Sequence, residues 1–70
     1  MVKEYTYSKL KGRIVEKYGS QKAFCKAIQR PENTVSRKLN NFIAFSQEDI
    51  NEWAKALDID VSEYGVYFFS

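Results

Sequence analysis

Pro31 is the residue that most constrains how this chain can fold, because it divides a helix-forming stretch into two short helices. Its ring has no N–H to donate, and it forces the preceding residue toward extended geometry. Before it, Ser20 is a suitable N-cap for a helix over residues 21–28. After it, a second helix is predicted from residue 32 to about residue 40, since proline also fits the first turn of a helix.

These two helices differ in how much of their surface is apolar. In the earlier helix, Phe24 and Ile28 lie four residues apart and form one apolar stripe. The later helix has only Val35 and Leu39 as apolar anchors, so its other side chains can point outward: Glu32, Asn33, Thr34, Ser36, Arg37 and Lys38. A buried helix followed by one that presents hydrogen-bonding groups is the layout of a helix-turn-helix that binds DNA.

The charges are distributed unevenly along the chain. The net charge is only +2, but residues 1–45 hold ten of the eleven basic residues and three of the nine acids, a local net charge of +7. Residues 46–70 hold six acids and Lys55, a local net charge of −5. Because the positive half contains the two short helices, this pattern favours a phosphate backbone on one side of the domain. The alternative is that both halves are simply solvated faces.

The composition argues against several classes of function. The chain has no histidine, so a catalytic triad, a histidine-ligated metal and a zinc finger are not expected. It also lacks a glycine-rich phosphate loop and a plausible buried carboxylate pair. We therefore expect no enzyme activity, no cofactor and no metal. Cys25, the single cysteine, is expected to be a buried structural thiol in a reducing cytoplasm.

Length and hydropathy predict a single cytoplasmic domain. Seventy residues can build one core, although a chain this short buries only about 60% of its unfolded surface and is marginally stable. No apolar run approaches the roughly 20 residues of a membrane helix, and the polar N-terminus does not resemble a signal peptide. A membrane partner is therefore not expected.

Three more helices are predicted around the central pair, which gives a compact all-α bundle of about five short helices. The first runs from residue 7 or 8 to about residue 18 and ends at Gly19, a residue that tolerates a left-handed conformation. The fourth covers residues 47–57, with Ser46 and Asp49 close to a capping box. A short fifth helix runs from residue 61 to about residue 67. The expected inward-facing residues of the first and fourth helices are Leu10, Ile14, Val15, Tyr18, Ile50, Trp53, Ala54 and Leu57.

Three segments outside these helices carry weaker predictions. Residues 1–6 are expected to form a loosely packed arm. The apolar loop of residues 40–45 is expected to tuck under the domain. The aromatic tail has two interpretations: its rings complete the core, or some of them form an exposed patch for a second copy or another protein. The tail residues concerned are Tyr64, Tyr67, Phe68 and Phe69.

The chain resembles the small Cro-type and repressor-type proteins of temperate phages, from about residue 7 to residue 69. The resemblance rests on three motifs: Ser20-Gln21-x-x-Phe24-Cys25-x-x-Ile28, Asn33-Thr34-Val35-Ser36-Arg37-Lys38-Leu39-Asn40-Asn41, and Phe45-Ser46-Gln47-x-x-Ile50. It implies a lambda-repressor-like helix-turn-helix domain. The tryptophan-bearing helix and aromatic C-terminus resemble early-region proteins of phages that infect Gram-positive bacteria. Some of these proteins are Cro-like repressors, and others are modulators that bind the partner lysogeny repressor.

The resemblance also implies roles for individual residues. Gln21 occupies a position that usually binds a DNA phosphate. Asn33 and Arg37 occupy positions where base edges are recognised, through adenine and guanine respectively, with Glu32 and Ser36 beside them. Further DNA contacts, chiefly to phosphate, are expected from Lys22, Arg30, Lys38, Asn40 and Asn41.

Three residues depart from the family pattern. Gln29 stands where glycine is usual, so it is expected to adopt a positive φ. Arg30 stands where a small aliphatic residue often plugs the core, and it is expected to point outward. Glu32 places a carboxylate close to the face that would meet phosphate. These departures leave room for a protein partner at the same surface.

Two functional hypotheses follow from the sequence. The first is a Cro-type transcriptional regulator that binds a palindromic operator in double-stranded DNA, as a homodimer with half-sites about 10 base pairs apart. The second is an antirepressor that docks on the partner phage repressor and alters its DNA binding, since acidic groups complement a basic DNA-binding surface. For that second role the candidate interface residues are Glu32, Tyr64, Tyr67, Phe68 and Phe69.

Overall fold

Residues 5–69 are described by a computed structural model, in which they form five α-helices and no strand. The prediction of an all-α bundle of about five short helices is confirmed. The last predicted helix divides into a 3₁₀ turn and a short α-helix. The elements are α1 (Ser8–Tyr18), α2 (Gln21–Ile28), α3 (Glu32–Leu39), α4 (Gln47–Leu57), the 3₁₀ turn (Val61–Glu63) and α5 (Tyr64–Phe68).

The predicted N-caps form as expected. The Ser20 hydroxyl accepts a hydrogen bond from the backbone N–H of Ala23 at 3.1 Å. At the start of α4, the Ser46 hydroxyl accepts from the Asp49 N–H at 3.1 Å, while the Asp49 carboxylate accepts from the Ser46 N–H at 2.9 Å. This reciprocal pair is a capping box, which satisfies two backbone donors that the helix cannot satisfy itself.

Three helices end with the same backbone arrangement. Each is followed by a non-glycine residue in the left-handed region, and the next N–H returns to a carbonyl five residues earlier, which defines a Schellman motif. The left-handed residues are Gln29 after α2, Asn41 after α3 and Asp58 after α4. The returning hydrogen bonds are Arg30 to Cys25 at 3.0 Å, Phe42 to Arg37 at 2.8 Å and Ile59 to Ala54 at 2.8 Å.

The positive φ of Gln29, 57°, confirms the expectation drawn from its place in the turn, and it leads to a stability prediction. A non-glycine residue in this region costs roughly 1 kcal/mol or more. Gln29→Gly is therefore expected to raise the free energy of unfolding by about 0.5–1 kcal/mol, because relief of strain exceeds the added entropy of the unfolded chain. Urea denaturation checks this against Gln29→Ala, which keeps the strain and should bring no gain. A less stable glycine variant would contradict it.

An aromatic cluster around Trp53 joins the helices. Its indole, 1% exposed, lies edge-on to Phe24 of α2 at 5.0 Å and to Phe45 at 4.8 Å between ring centroids. Phe45 also meets Tyr7 at 5.3 Å and Phe68 of α5 at 5.5 Å. One partly buried loop residue therefore connects the start of α1, α4 and the C-terminal helix.

The structure corrects several packing expectations. Val15 is exposed, because it lies beside the narrow apolar stripe of α1 and not within it. The loop of residues 40–45 does not tuck under the domain: Phe42 and Ile43 are exposed, and only Phe45 packs on the core. Phe68 is buried at 1% exposure, so the prediction that it lies at a protein interface was wrong. It faces inward because α5 packs against α1 and α4.

The predicted N-terminal arm is tied down where it is described. Tyr5 donates its backbone N–H to Asn41 Oδ1 at 3.2 Å, and its carbonyl accepts from Asn41 Nδ2 at 2.7 Å. Residues 1–4 of that predicted arm lie outside the described residues. The first helix begins at Ser8, one of the two predicted starts.

Candidate interaction surface

The outer face of α3 carries five of the ten residues that the sequence predicts to contact DNA. We call Glu32, Asn33, Ser36, Arg37 and Asn40 the α3 surface. Four of them are exposed and Ser36 is half-buried. Asn40 donates its side-chain amide to the Ser36 carbonyl at 2.8 Å, which fixes its orientation. Val35 and Leu39 are buried on the opposite side and hold α3 against the core, as predicted.

Lys38 does not belong to this surface. Its Nζ donates to Asp49 Oδ2 at 2.6 Å, and its side chain is only 12% exposed. The ammonium group is held between α3 and the start of α4, so a phosphate would have to displace Asp49 to bind Lys38. The phosphate contact by Lys38 stays a prediction. Burial alone would raise the pKa of Asp49, but hydrogen bonds from Lys38 and Ser46 and the Lys38 charge outweigh it and lower that pKa overall.

Arg30 points outward, as expected, but it is already paired. Its guanidinium donates to both carboxylate oxygens of Glu52 on α4, at 3.2 and 3.1 Å. This two-bond geometry is the strong form of an arginine–carboxylate contact, and it raises the pKa of Arg30. A phosphate would have to compete with Glu52 for this residue.

Asn41 is also used within the domain. Both ends of its amide bind the Tyr5 backbone, and its φ is 66°. A phosphate would therefore compete with the Tyr5 backbone for the Asn41 amide, and the phosphate contact by Asn41 stays a prediction. Its role is to fasten the segment before α1 to the loop after α3.

Taken together, the ion pairs show that the acidic half of the chain folds back onto the basic half. Four cations in residues 5–45 have carboxylate partners, and three of those partners come from residues 46–69. The pairs are Arg13 with Glu16, Lys17 with Asp58, Arg30 with Glu52 and Lys38 with Asp49. The sequence suggested two separate faces of opposite charge; the structure instead neutralises part of the positive face, including two of its predicted DNA contacts.

The start of α2 holds two of the predicted DNA contacts, which differ in their exposure. Gln21 is half-buried and Lys22 is exposed. Lys22 lines a shallow cleft with Lys26, Cys25 and residues 30–32. Cys25 is buried and free, and burial, followed by the nearby charge of Glu32, raises the pKa of its thiol. A raised pKa disfavours the reactive thiolate, which agrees with a structural role.

The aromatic tail is divided between core and surface. Tyr64 and Tyr67 are half-buried, and the Tyr64 hydroxyl lies 3.3 Å from Asn51 Oδ1 as a donor. Phe69 is exposed on one side and lies edge-on to Tyr5, with 6.2 Å between ring centroids. Among the four tail rings predicted as interface candidates, Phe69 is the most exposed.

Sequence reasoning missed the exposed pair Phe42 and Ile43. Phe42 is 80% exposed, and together with Ile43 it lines an open groove with Ser36, Arg37 and Asn40 of the α3 surface. The available signal was the position of Phe42, directly after an asparagine that can end a helix in the left-handed region. That signal fixes where the backbone goes but not whether the ring is covered.

Residues 5–69 contain no helix that is both long and apolar enough to cross a membrane. Within the same residues, no three His, Cys, Asp or Glu side chains gather closely enough to hold a metal ion.

Comparison with known proteins shows that this chain is similar to a phage protein of known structure. The solution structure of the modulator of repression (MOR) of the temperate bacteriophage TP901-1 from Lactococcus lactis is 36% identical in sequence, with a TM-score of 0.85. The match covers 94% of this chain and 89% of that chain. It confirms the resemblance to small phage regulators; the Cro-type features remain predictions. No curated protein matches this sequence. A family model matches residues 3–70, and the chain belongs to that family, which is described as "Protein of unknown function (DUF739)".

Proposed function

We propose that this protein is a modulator of phage repression that acts by binding the partner repressor. The observation that carries the proposal is the neutralisation of its own basic half. Glu52 and Asp49 occupy Arg30 and Lys38, two residues that an operator-binding domain would offer to phosphate. Phosphate contacts supply a large share of the affinity of DNA-binding proteins, so the occupation of these two cations by carboxylates favours a protein partner over DNA.

The similarity to a phage modulator of repression supports the same role. It favours the second of the two sequence-based hypotheses over the first, operator binding. We assign the docking to the α3 surface, because it carries Glu32, an exposed carboxylate with no ion-pair partner among residues 5–69. A repressor's DNA-binding face is basic, and an acidic group opposite it gains from charge complementarity.

Isothermal titration of the purified chain into the repressor encoded beside it tests this function. A complex with micromolar or tighter affinity is expected, and a gel shift should show altered binding of the repressor to its operator. Glu32→Gln is expected to weaken the complex several-fold, mainly through slower association. The matched control is Glu63→Gln in the 3₁₀ turn, which removes an exposed carboxylate that, like Glu32, forms no ion pair within residues 5–69. Absence of any complex at tens of micromolar protein would overturn the proposal.

A second candidate function is direct operator binding of the Cro type, as a homodimer on a palindromic site. It is favoured by the exposure of Asn33 and Arg37 on α3 and of Lys22 and Lys26 on α2. The same gel shift with the chain alone distinguishes it. A sequence-selective shift that weakens steeply as salt increases supports operator binding, whereas a shift that requires the repressor supports the modulator. Both functions place the protein in the cytoplasm of the bacterial host.

A further inference from the structure

We infer that Phe42 is the apolar anchor of the repressor complex, inserted into an apolar pocket whose rim presents a carboxylate to Arg37. This inference rests on the proposed function and names the contact that would supply most of its affinity. The sequence did not predict that Phe42 and Arg37 act as a pair. Phe42 was expected to be covered by the domain.

The exposure of Phe42 is unusual for its position. In a Schellman motif the residue after the left-handed position commonly packs back on its own helix. Ile59, at this position after α4, is buried, and Arg30, at the same position after α2, is bound by Glu52. Phe42 occupies the equivalent position after α3 and is 80% exposed. Among the three motifs, this is the one whose final side chain is left without a covering group.

The backbone under the ring is held in place from two sides. The Phe42 N–H donates to the Arg37 carbonyl at 2.8 Å, and the Asn41 side chain is fastened to the Tyr5 backbone by two hydrogen bonds. A side chain presented from a fixed backbone loses little conformational freedom on binding, and aromatic anchors with this property often dominate an interface.

The surroundings of Phe42 indicate the chemistry of its partner. Ile43 extends the apolar area, and Ser36, Arg37 and Asn40 supply the polar side of the same groove. None of the carboxylates in residues 5–69 forms an ion pair with Arg37. An apolar pocket beside a carboxylate satisfies both groups at once. A DNA groove could satisfy Arg37 through guanine or phosphate, but the apolar group that it offers to an aromatic ring is the thymine methyl, so it fits Phe42 less well.

Substitution of Phe42 tests the anchor. Phe42→Ala is expected to weaken repressor binding by at least about 30-fold, the loss typical of a hot-spot residue. Val61→Ala is the matched control, because Val61 is also apolar and 72% exposed but lies in the 3₁₀ turn before α5; it should leave the affinity unchanged. Arg37→Gln should weaken binding about 10-fold, with Arg37→Lys in between, since lysine keeps the charge but not the two-bond geometry. Circular dichroism should show all four variants folded.

The outcomes separate this inference from the proposed function. If the unmodified chain does not bind the repressor, the proposed function fails and the anchor fails with it. If the unmodified chain binds and Phe42→Ala binds equally well, the anchor is overturned while the modulator function stands. The anchor is also overturned if Phe42→Ala retains repressor binding but loses a homodimer measured by sedimentation, or loses operator binding by the chain alone.

Discussion

Replacing Trp53 by alanine is expected to lower the free energy of unfolding of this domain by about 3–5 kcal/mol. The indole is fully buried and packs edge-on against Phe24 and Phe45, so its removal deletes contacts with α2 and with the loop before α4. Loss of a buried tryptophan typically costs about 3–5 kcal/mol. A domain of this length has a total stability of roughly 4–10 kcal/mol. The substitution therefore removes a large share of the folding free energy.

Thermal and urea denaturation followed by circular dichroism measure this effect, because the variant lacks the fluorescent reporter. A fall in melting temperature of more than about 15 °C is expected. Trp53→Phe should retain part of the edge-on packing and lose less. Phe42→Ala is the matched control at an exposed aromatic residue and should change stability by no more than about 0.5 kcal/mol. A Trp53→Ala variant as stable as this control would contradict the central role of the ring.

Replacing Asp49 by alanine is expected to cost about 2–3 kcal/mol of stability, because it removes one half of a capping box and leaves the largely buried Lys38 without its counter-ion. Asp49→Asn keeps a hydrogen-bond acceptor for the Ser46 N–H and should cost less. Glu48→Ala removes an exposed acid one residue earlier in the same first turn of α4. We expect that control to lie within about 0.5 kcal/mol of the unmodified chain.

The Asp49 carboxylate also makes the stability of the domain depend on pH. The folded state lowers the pKa of Asp49 below its ordinary value of 3.8, so folding favours the ionised form. The Asp49 contribution is therefore fully present above that ordinary pKa and is lost as the pH falls through the lowered value. Urea midpoints measured from pH 7 down to pH 2 should show the advantage over Asp49→Asn shrinking in that acidic range. A difference that stays constant through the range would show that the Lys38 contact does not act through charge.

The helix boundaries and their caps could be predicted from the sequence because they depend on interactions within a few residues. Ser20, Ser46 and Asp49 each accept a hydrogen bond from an N–H group three positions away. Gln29 adopts its positive φ at the turn between α2 and Pro31, which lies two residues further on. Such local interactions leave a pattern in the chain that does not depend on how the helices pack.

The candidate site was predicted only in part, because some of its residues depend on contacts between distant parts of the chain. The sequence placed Asn33 and Arg37 on the exposed side of α3, because Val35 and Leu39 fix which side is buried. It could not show that Lys38 would meet Asp49 or that Arg30 would meet Glu52, partners 11 and 22 residues away. These pairings decide which cations remain available to bind phosphate. They therefore also decide whether DNA or a protein is the better partner for this surface.

By itself the sequence determined the helical class, the helix ends and the kinship with small phage regulators, since each depends on periodicity and on short motifs. The tertiary structure alone decided which charges cancel and which aromatic rings are covered. Phe68 is buried and Phe42 is exposed, although the first is the last residue of a short helix and the second follows the end of another by three residues. Their difference depends on which helices pack beside them, and packing between distant segments is encoded by the whole chain at once and not by any short stretch of it.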